Sequence, residues 1–407
     1  MNNTVKLKIS DVVYPGRGLA RIDGCVVFIP GVLPGETVTA RITRRRKNFV
    51  EAEIISIDTP SPQRVVAACP LSGTCPGCCY QHMDYAEELR LKQAQFKSLL
   101  RRIGRVEEPP CLPVTPSSAS INYRNRITLH ASRVIESSRN PDKGINLGYF
   151  AIDNRSVLDI PACPLAVEEI NRLLTRLRAD QKFITGLKEG DALSLRYTPT
   201  DGALQWLKGI TPDRTILTET SCLGPVLVPY DAFFQVNIPI ADALIRRLTD
   251  ILSETRPSYI IDLYCGAGIF ALAAGKAGVP AVLGIDKNKS AIRAARQNAR
   301  KHDLPGLRFE SLPAPDGLEY GLTPLPPEET MLITDPPRAG LSKDVIALIA
   351  SHKPGTLVYI SCAADTLARD VARLSETGYV IENTQIFDMF PRTPYFESIT
   401  VLRHCSG

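Results

Sequence analysis

The segment "YISCAADTLARD" places Cys362 directly after an apolar, strand-like run and just before a helix-like one. A lone cysteine in that setting is ordinarily a small core residue. A thiol whose pKa is lowered by a helix N-terminus or a neighbouring cation is instead a soft nucleophile. Two other stretches decide between these readings. "LITDPPRAGL" leaves Asp335 at a strand end, where open α/β sheets bind ligands, followed by two stiffening prolines and Arg338. "YIIDLYCGAGIF" runs from a strand into a turn in which Gly266 and Gly268 let the backbone approach a ligand, and Asp286 closes the next strand, placed for ribose hydroxyls. These glycines imply a nucleotide-like cofactor without identifying it, since Gly266, Gly268 and Ala271 also satisfy a relaxed dinucleotide fingerprint. Cys362 shares its rim with both stretches, which favours the nucleophile. Glu397, in "PRTPYFESI", adds a carboxylate that matters if the chemistry needs a base.

A second set of residues points to metal chemistry. Cys69, Cys75 and Cys78 form C-x5-C-x2-C, and "IPACPL" supplies Cys163. Four thiolates suit zinc or an iron–sulfur cluster. Cys79 is a spare thiol beside them, so the spacing leaves open which sulfurs ligate. Eleven cysteines, an odd number in a long chain, fit a reducing compartment better than a disulfide scaffold. With no signal-like start and no uncharged apolar run of about 18 residues, a cytoplasmic location without a membrane partner is expected.

The elements that must position these residues fall into three regions. At 407 residues the chain exceeds the size of about 250 to 300 residues at which single cores stop growing. Residues 1–58 read as five short strands, near 4–12, 17–22, 25–29, 36–43 and 48–56, which suggests a small barrel. Its "RITRRRKNF" gathers Arg41, Arg44, Arg45, Arg46 and Lys47 beside Phe49, a pattern suited to tracking a nucleic-acid backbone with a stacking ring. Residues 64–228 read as a mixed α+β domain that carries the cysteines. It opens with a helix from Asp84 to Gly104, whose apolar face is Leu89, Phe96, Leu99, Leu100 and Ile103. Residues 229–407 alternate helix and strand, which argues for a doubly wound, Rossmann-like sheet. The net charge of +5 is only a weak hint of a polyanionic partner.

Taken together, "CPLSGTCPGCCYQHMDY", "IPACPL", "FFQVN", "DLYCGAGIF", "DPPRAGL", "YISCAADTLARD" and "FPRTPYFES" resemble the motifs of the RNA 5-methyluridine methyltransferases that use S-adenosylmethionine. The resemblance spans nearly the whole chain. It implies an OB-like TRAM barrel that binds RNA, and a [4Fe–4S] cluster on Cys69, Cys75, Cys78 and Cys163. It also implies S-adenosylmethionine contacts from Gln235, Tyr264, Asp286 and Asp335, with Cys362 as nucleophile and Glu397 as base. The implied substrate is a uridine of structured RNA, foremost 23S ribosomal RNA with transfer RNA as the alternative. No obligate protein partner is evident, and a monomer is expected. The chain departs from the family pattern at Ile269, where asparagine is usual, at Ala363-Ala364 after the nucleophile, at Tyr395 in place of a histidine, and at Pro76-Gly77 in place of Gly-Gly. Two other classes compete with this reading: a base-nitrogen methyltransferase without covalent catalysis, and a noncatalytic RNA-binding protein whose cluster senses redox state.

Overall fold

The computed structural model describes residues 3–133, 144–322 and 326–405. The remaining positions of the three expected domain spans lie outside the described residues.

The first region contains β1 (Thr4–Lys8), β2 (Asp11–Val13), β3 (Arg17–Ile22), β4 (Cys25–Pro30), β5 (Thr37–Arg45) and β6 (Phe49–Thr59). The expected first strand is two. It bends at Ile9 and Ser10, whose N–H groups donate to Glu36 O and Leu19 O. β1 then pairs with β5 and β2 with β3, so one bent segment serves both edges and the sheet curls into a barrel. Such closure leaves no long free edge.

Next come α1 (Tyr85–Arg102), β7 (Arg126–Arg133), β8 (Ile145–Phe150), β9 (Val157–Asp159), α2 (Glu168–Ala179), α3 (Gln181–Gly186), β10 (Ala192–Thr198), β11 (Gly202–Leu207), β12 (Ile216–Ser221) and β13 (Gly224–Pro229). The strands form an antiparallel sheet, β11-β10-β7-β8-β9, and a separate β12–β13 hairpin. Asp84 caps α1 by accepting from Ala86 N–H. The buried face of α1 differs from the expected one: Glu88, Lys92 and Gln95 lie inside with Leu91, Phe96 and Leu100, while Ile103 is largely exposed. The charged residues are tolerated because Lys92 Nζ donates to Glu88 Oε1 (2.7 Å), Asp388 Oδ1 (2.6 Å) and Phe390 O (3.2 Å). Through Phe96 and Leu100, α1 packs on the sheet of the third region.

That sheet is built from β14 (Tyr259–Leu263), β15 (Ala281–Ile285), β16 (Leu307–Glu310), β17 (Thr330–Thr334), β18 (Thr356–Ser361), β19 (Tyr379–Phe387) and β20 (Glu397–His404). Its order is β16-β15-β14-β17-β18-β20-β19, parallel except that β20 runs antiparallel to both neighbours. One face is covered by α4 (Ile238–Thr255), α5 (Ile269–Lys276) and α6 (Lys289–Lys301). The other is covered by α7 (Ala314–Leu322), α8 (Lys343–His352) and α9 (Ala364–Ser375). Neither β16 nor α7 follows from the periodicity, because "LRFE" is short and "APDGLEYGL" holds a proline and two glycines. The order reverses between β14 and β17, and the ends of these strands form the crevice in which such sheets bind ligands.

Candidate active site

The antiparallel pairing of β18 with β20 brings the two candidate catalytic side chains together. Ser361 pairs with Ser398, so Cys362, the next residue on one strand, faces Glu397, the first residue of the other. Asp335 follows β17, the neighbouring strand, and its N–H donates to Leu263 O at 3.3 Å. Arg338, three residues further along, stacks its guanidinium over the Tyr395 ring at 4.0 Å, and its field acts on the Cys362 thiol. Glu397 is buried, at 2 % exposure, and its Oε2 has no hydrogen-bond partner among the described residues.

The electrostatics correct one expectation. The helix N-terminus does not leave Cys362 acidic: burial, then Glu397 and Asp335, push the thiol up to about 12 against the opposing pull of Arg338. Ala363, the N-cap of α9, offers no side-chain cap, and its N–H is taken by Ser361 Oγ at 3.1 Å. Burial and mutual repulsion likewise hold Glu397 well above the carboxylate range, and burial raises Asp335. In the ligand-free protein this crevice retains protons, and Arg338 is the cation that can draw one off the thiol.

The barrel also reaches this rim. Tyr14, on the turn between β2 and β3, is half-buried and lies within the field of Asp365, Tyr395, Arg338 and Cys362. The turn is docked from below: Gln95 Nε2 donates to Val12 O at 2.8 Å, and a Cβ on Gly16 would meet Cys79 Sγ at 2.8 Å. Nothing in the sequence marks Tyr14, since its neighbours at the rim are more than 300 positions away.

On the other side of the crevice, Tyr264 adopts φ +68° and Gly266 φ +54°, and the space beside Gly266 is open. Asp286 Oδ2 accepts from Gly266 N–H (3.0 Å) and Oδ1 from Asn288 N–H (2.8 Å). Each oxygen keeps acceptor capacity for a hydroxyl. Gln235 is buried, and its Oε1 has no hydrogen-bond partner among the described residues. Asp262, missed in the sequence, is fully buried in "YIIDL"; Oδ2 accepts from Ala271 N–H (3.0 Å), Oδ1 is unpartnered, and burial pushes it up to about 8. A carboxylate inside an apolar strand was its available signal. Asn298 braces the same turn, donating to Ala267 O (3.1 Å) and Leu227 O (2.9 Å). Ile269 begins α5 and packs on the core.

The four cysteines lie elsewhere. Cys69, Cys75, Cys78 and Cys163 line one cavity of about 470 Å³ with Tyr149, Phe233 and Phe234. Cys79 points away from it, toward Gly16 and the core formed by Val12, Tyr80 and Met83. Phe49 is not a free stacking ring: it packs edge-on against Phe28 at 5.5 Å, while Arg44, Arg45, Arg46 and Lys47 are exposed. Among the described residues no helix is long and apolar enough to cross a membrane.

Comparison with known proteins agrees with this architecture. The TRAM domain profile matches residues 2–55, and the profile described as tRNA (Uracil-5-)-methyltransferase matches residues 328–405. The chain is 33% identical to the 23S rRNA (uracil(1939)-C(5))-methyltransferase RlmD of Azoarcus sp., covering 97% of this chain and 98% of that one. It is 30% identical to an RNA methyltransferase of Aquifex aeolicus, covering 98% of each. Its fold is similar to that of the Pyrococcus abyssi tRNA (uracil-54, C5)-methyltransferase crystallised with S-adenosyl-L-homocysteine, with TM-score 0.71 and 24% identity over 97% of this chain and 100% of that one. With its barrel, its sheet and both motif-bearing strands matched along nearly its full length, the chain belongs to the RNA uracil-C5 methyltransferase family.

Proposed function

We propose that the protein methylates C5 of a uridine in 23S ribosomal RNA through a covalent adduct between Cys362 and C6. The observation that carries this reading is the strand register that opposes a thiol to a buried carboxylate. Uracil C5 is a poor nucleophile. Addition of the Cys362 thiolate at C6 pushes the ring electrons onto C5 and O4, so that C5 can attack a methyl electrophile. S-adenosylmethionine supplies that methyl, and Gln235, Tyr264, Asp286 and Asp335 would hold it; the open turn at Gly266 and the unpartnered Gln235 Oε1 fit such a ligand. Arg338 stabilises first the thiolate and then the enolate oxygen. Glu397 removes the C5 proton, and elimination frees Cys362.

A uridine in folded RNA must leave its stack to reach Cys362, which accounts for an RNA-binding barrel at the rim. Arg44, Arg45, Arg46 and Lys47 would follow phosphates. The 33% relative named for 23S rRNA supports the ribosomal substrate. A transfer RNA uridine is the second reading, favoured by the name of the profile over residues 328–405. Mapping 5-methyluridine in both RNAs with and without the gene tests the choice. Loss from 23S rRNA alone is expected, and loss from transfer RNA alone would overturn it.

Cys69, Cys75, Cys78 and Cys163 would hold a [4Fe–4S] cluster, tying the 69–78 segment to the loop at 163. The four thiols line a cavity of about 470 Å³, roomy enough for a multi-atom cluster. Four thiolates suit either an iron–sulfur cluster or zinc, and among the described residues the side chains are not drawn together around a single ion.

A further inference from the structure

Arg338 sits on an exposed loop, yet its guanidinium must keep a fixed position between Tyr395 and the thiol. No hydrogen bond from within the loop explains that order beyond the turn closed by Gly340 N–H to Pro337 O at 2.8 Å. The restraint comes from α9, the helix that begins two residues after Cys362. Thr366 Oγ1 donates to Arg338 O (3.1 Å), Arg369 Nη2 to Ala339 O (2.8 Å), and Asp370 Oδ2 accepts from Leu341 N–H (2.8 Å). Asp370 is fully buried and is itself fixed by Tyr359 O–H (2.9 Å) and by Arg369 Nε (2.9 Å) on its other oxygen. The fit depends on Gly340, at φ +77°: a Cβ there would stand 2.3 Å from Asp370 Oδ2 and 2.6 Å from Arg369 Nη2. Three loop residues, Arg338, Ala339 and Leu341, are thus bonded to one helix face, with Gly340 packed against it.

We propose that Thr366, Arg369 and Asp370 are positioning residues that hold Arg338 against the nucleophile, so that "TLARD" acts on the reaction through the "PRAGL" loop. The proposal rests on the reading of Cys362 as nucleophile. Motion of the loop carries the Arg338 cation away from a thiol that lies in the fields of Glu397, Asp335 and Tyr14. The grip therefore controls thiolate formation as well as substrate orientation.

The test is the pH dependence of Cys362 alkylation by iodoacetamide, followed by mass mapping of the Cys362 peptide in the full-length protein. Asp370→Asn is expected to raise the midpoint by about half to one pH unit, the sign and size of losing part of a neighbouring cation. Arg338→Ala should give at least the same shift, and the double variant no more than Arg338→Ala alone. Methyl transfer should fall about 10- to 100-fold in Asp370→Asn, as displaced catalytic groups do. An unchanged midpoint, or shifts that add, would overturn the proposal even if activity fell. Should Asp370→Asn not fold, Thr366→Val removes the hydroxyl that reaches Arg338 O (3.1 Å) and Ala363 O (3.0 Å) and must move the midpoint the same way by a smaller amount; no shift there also overturns it. The catalytic reading fails separately, if Cys362→Ser still methylates uridine, and the alkylation comparison stands regardless of that outcome.

Discussion

Cys362 and Glu397 face each other one step beyond the Ser361–Ser398 pair, at the open ends of two antiparallel strands. A sheet that was parallel throughout would carry the final strand the other way and place its first residue at the opposite rim. The reversal of β20 therefore brings the proposed base to the nucleophile.

Glu397→Gln should separate adduct formation from release. Cys362 can still add and the methyl can still transfer, but the C5 proton stays, so a denaturant-resistant protein–RNA adduct accumulates on gel electrophoresis. Turnover should fall by about 100- to 10,000-fold, the range for loss of a general base. Cys362→Ser should give no adduct. An adduct-free, active Glu397→Gln protein would assign the base elsewhere.

The same substitution carries a signed pH effect. Once ionised, Glu397 raises the thiol by repulsion, so its replacement by a neutral side chain must lower the pH at which Cys362 is alkylated. This is opposite in direction to Arg338→Ala. Both variants moving the same way would contradict the electrostatic account of the crevice.

Asp262 predicts a pH-dependent stability. Its folded value of about 8 lies above the ordinary carboxylate value of 3.8. Well below 3.8, folded and unfolded states both hold the proton. As pH rises toward 8 the unfolded chain releases it while the fold retains it, so stability is lost through this window. Asp262→Asn should melt like the wild type well below pH 3.8 and at a higher temperature near pH 8. A melting temperature equal to wild type at both ends would show that Asp262 is not held protonated.

Lys92→Met tests the buried network that fastens the segment between β19 and β20 to α1. Removal of the ammonium leaves Glu88 and Asp388, both at 0 % exposure, without their shared counterion, so that only Glu88 keeps a cation, Arg392 Nη1 at 3.6 Å, among the described residues. Breaking a buried pair costs about 3–5 kcal/mol, which chemical denaturation would measure. A loss below about 1 kcal/mol, the scale of surface pairs, would mean that the network contributes little.

Much of the third region was legible because a buried parallel sheet writes itself in apolar runs that alternate with amphipathic helices. "YISC" and "DPPR" could be placed on one rim from topology alone. The facing of Cys362 by Glu397 was less so, because it depends on strand direction and register between segments more than 30 residues apart. Tyr14 and the burial of Lys92 were not legible, since each is set by docking between regions and Lys92 reads locally as a solvent-facing charge. The spacing left Cys79 ambiguous; its side chain faces Gly16, whereas Cys69, Cys75, Cys78 and Cys163 line the cavity. Tyr395, a departure from the family pattern, proves to be the ring beneath Arg338.

The proposed cluster is open to an elemental assay. Protein purified without oxygen should contain iron and acid-labile sulfide, and Cys163→Ala should lose both. Stoichiometric zinc with no sulfide would replace the cluster by a single ion.

The central claim is covalent catalysis by Cys362, and trapping with 5-fluorouridine-substituted RNA tests it most directly. Fluorine at C5 cannot leave as a cation, so after methyl transfer the adduct cannot eliminate. With S-adenosylmethionine and a 23S rRNA fragment, a stable complex should form in which mass mapping finds the nucleotide joined to Cys362. Methylation of the unsubstituted RNA without any trapped complex, or a linkage at another residue, would contradict the account.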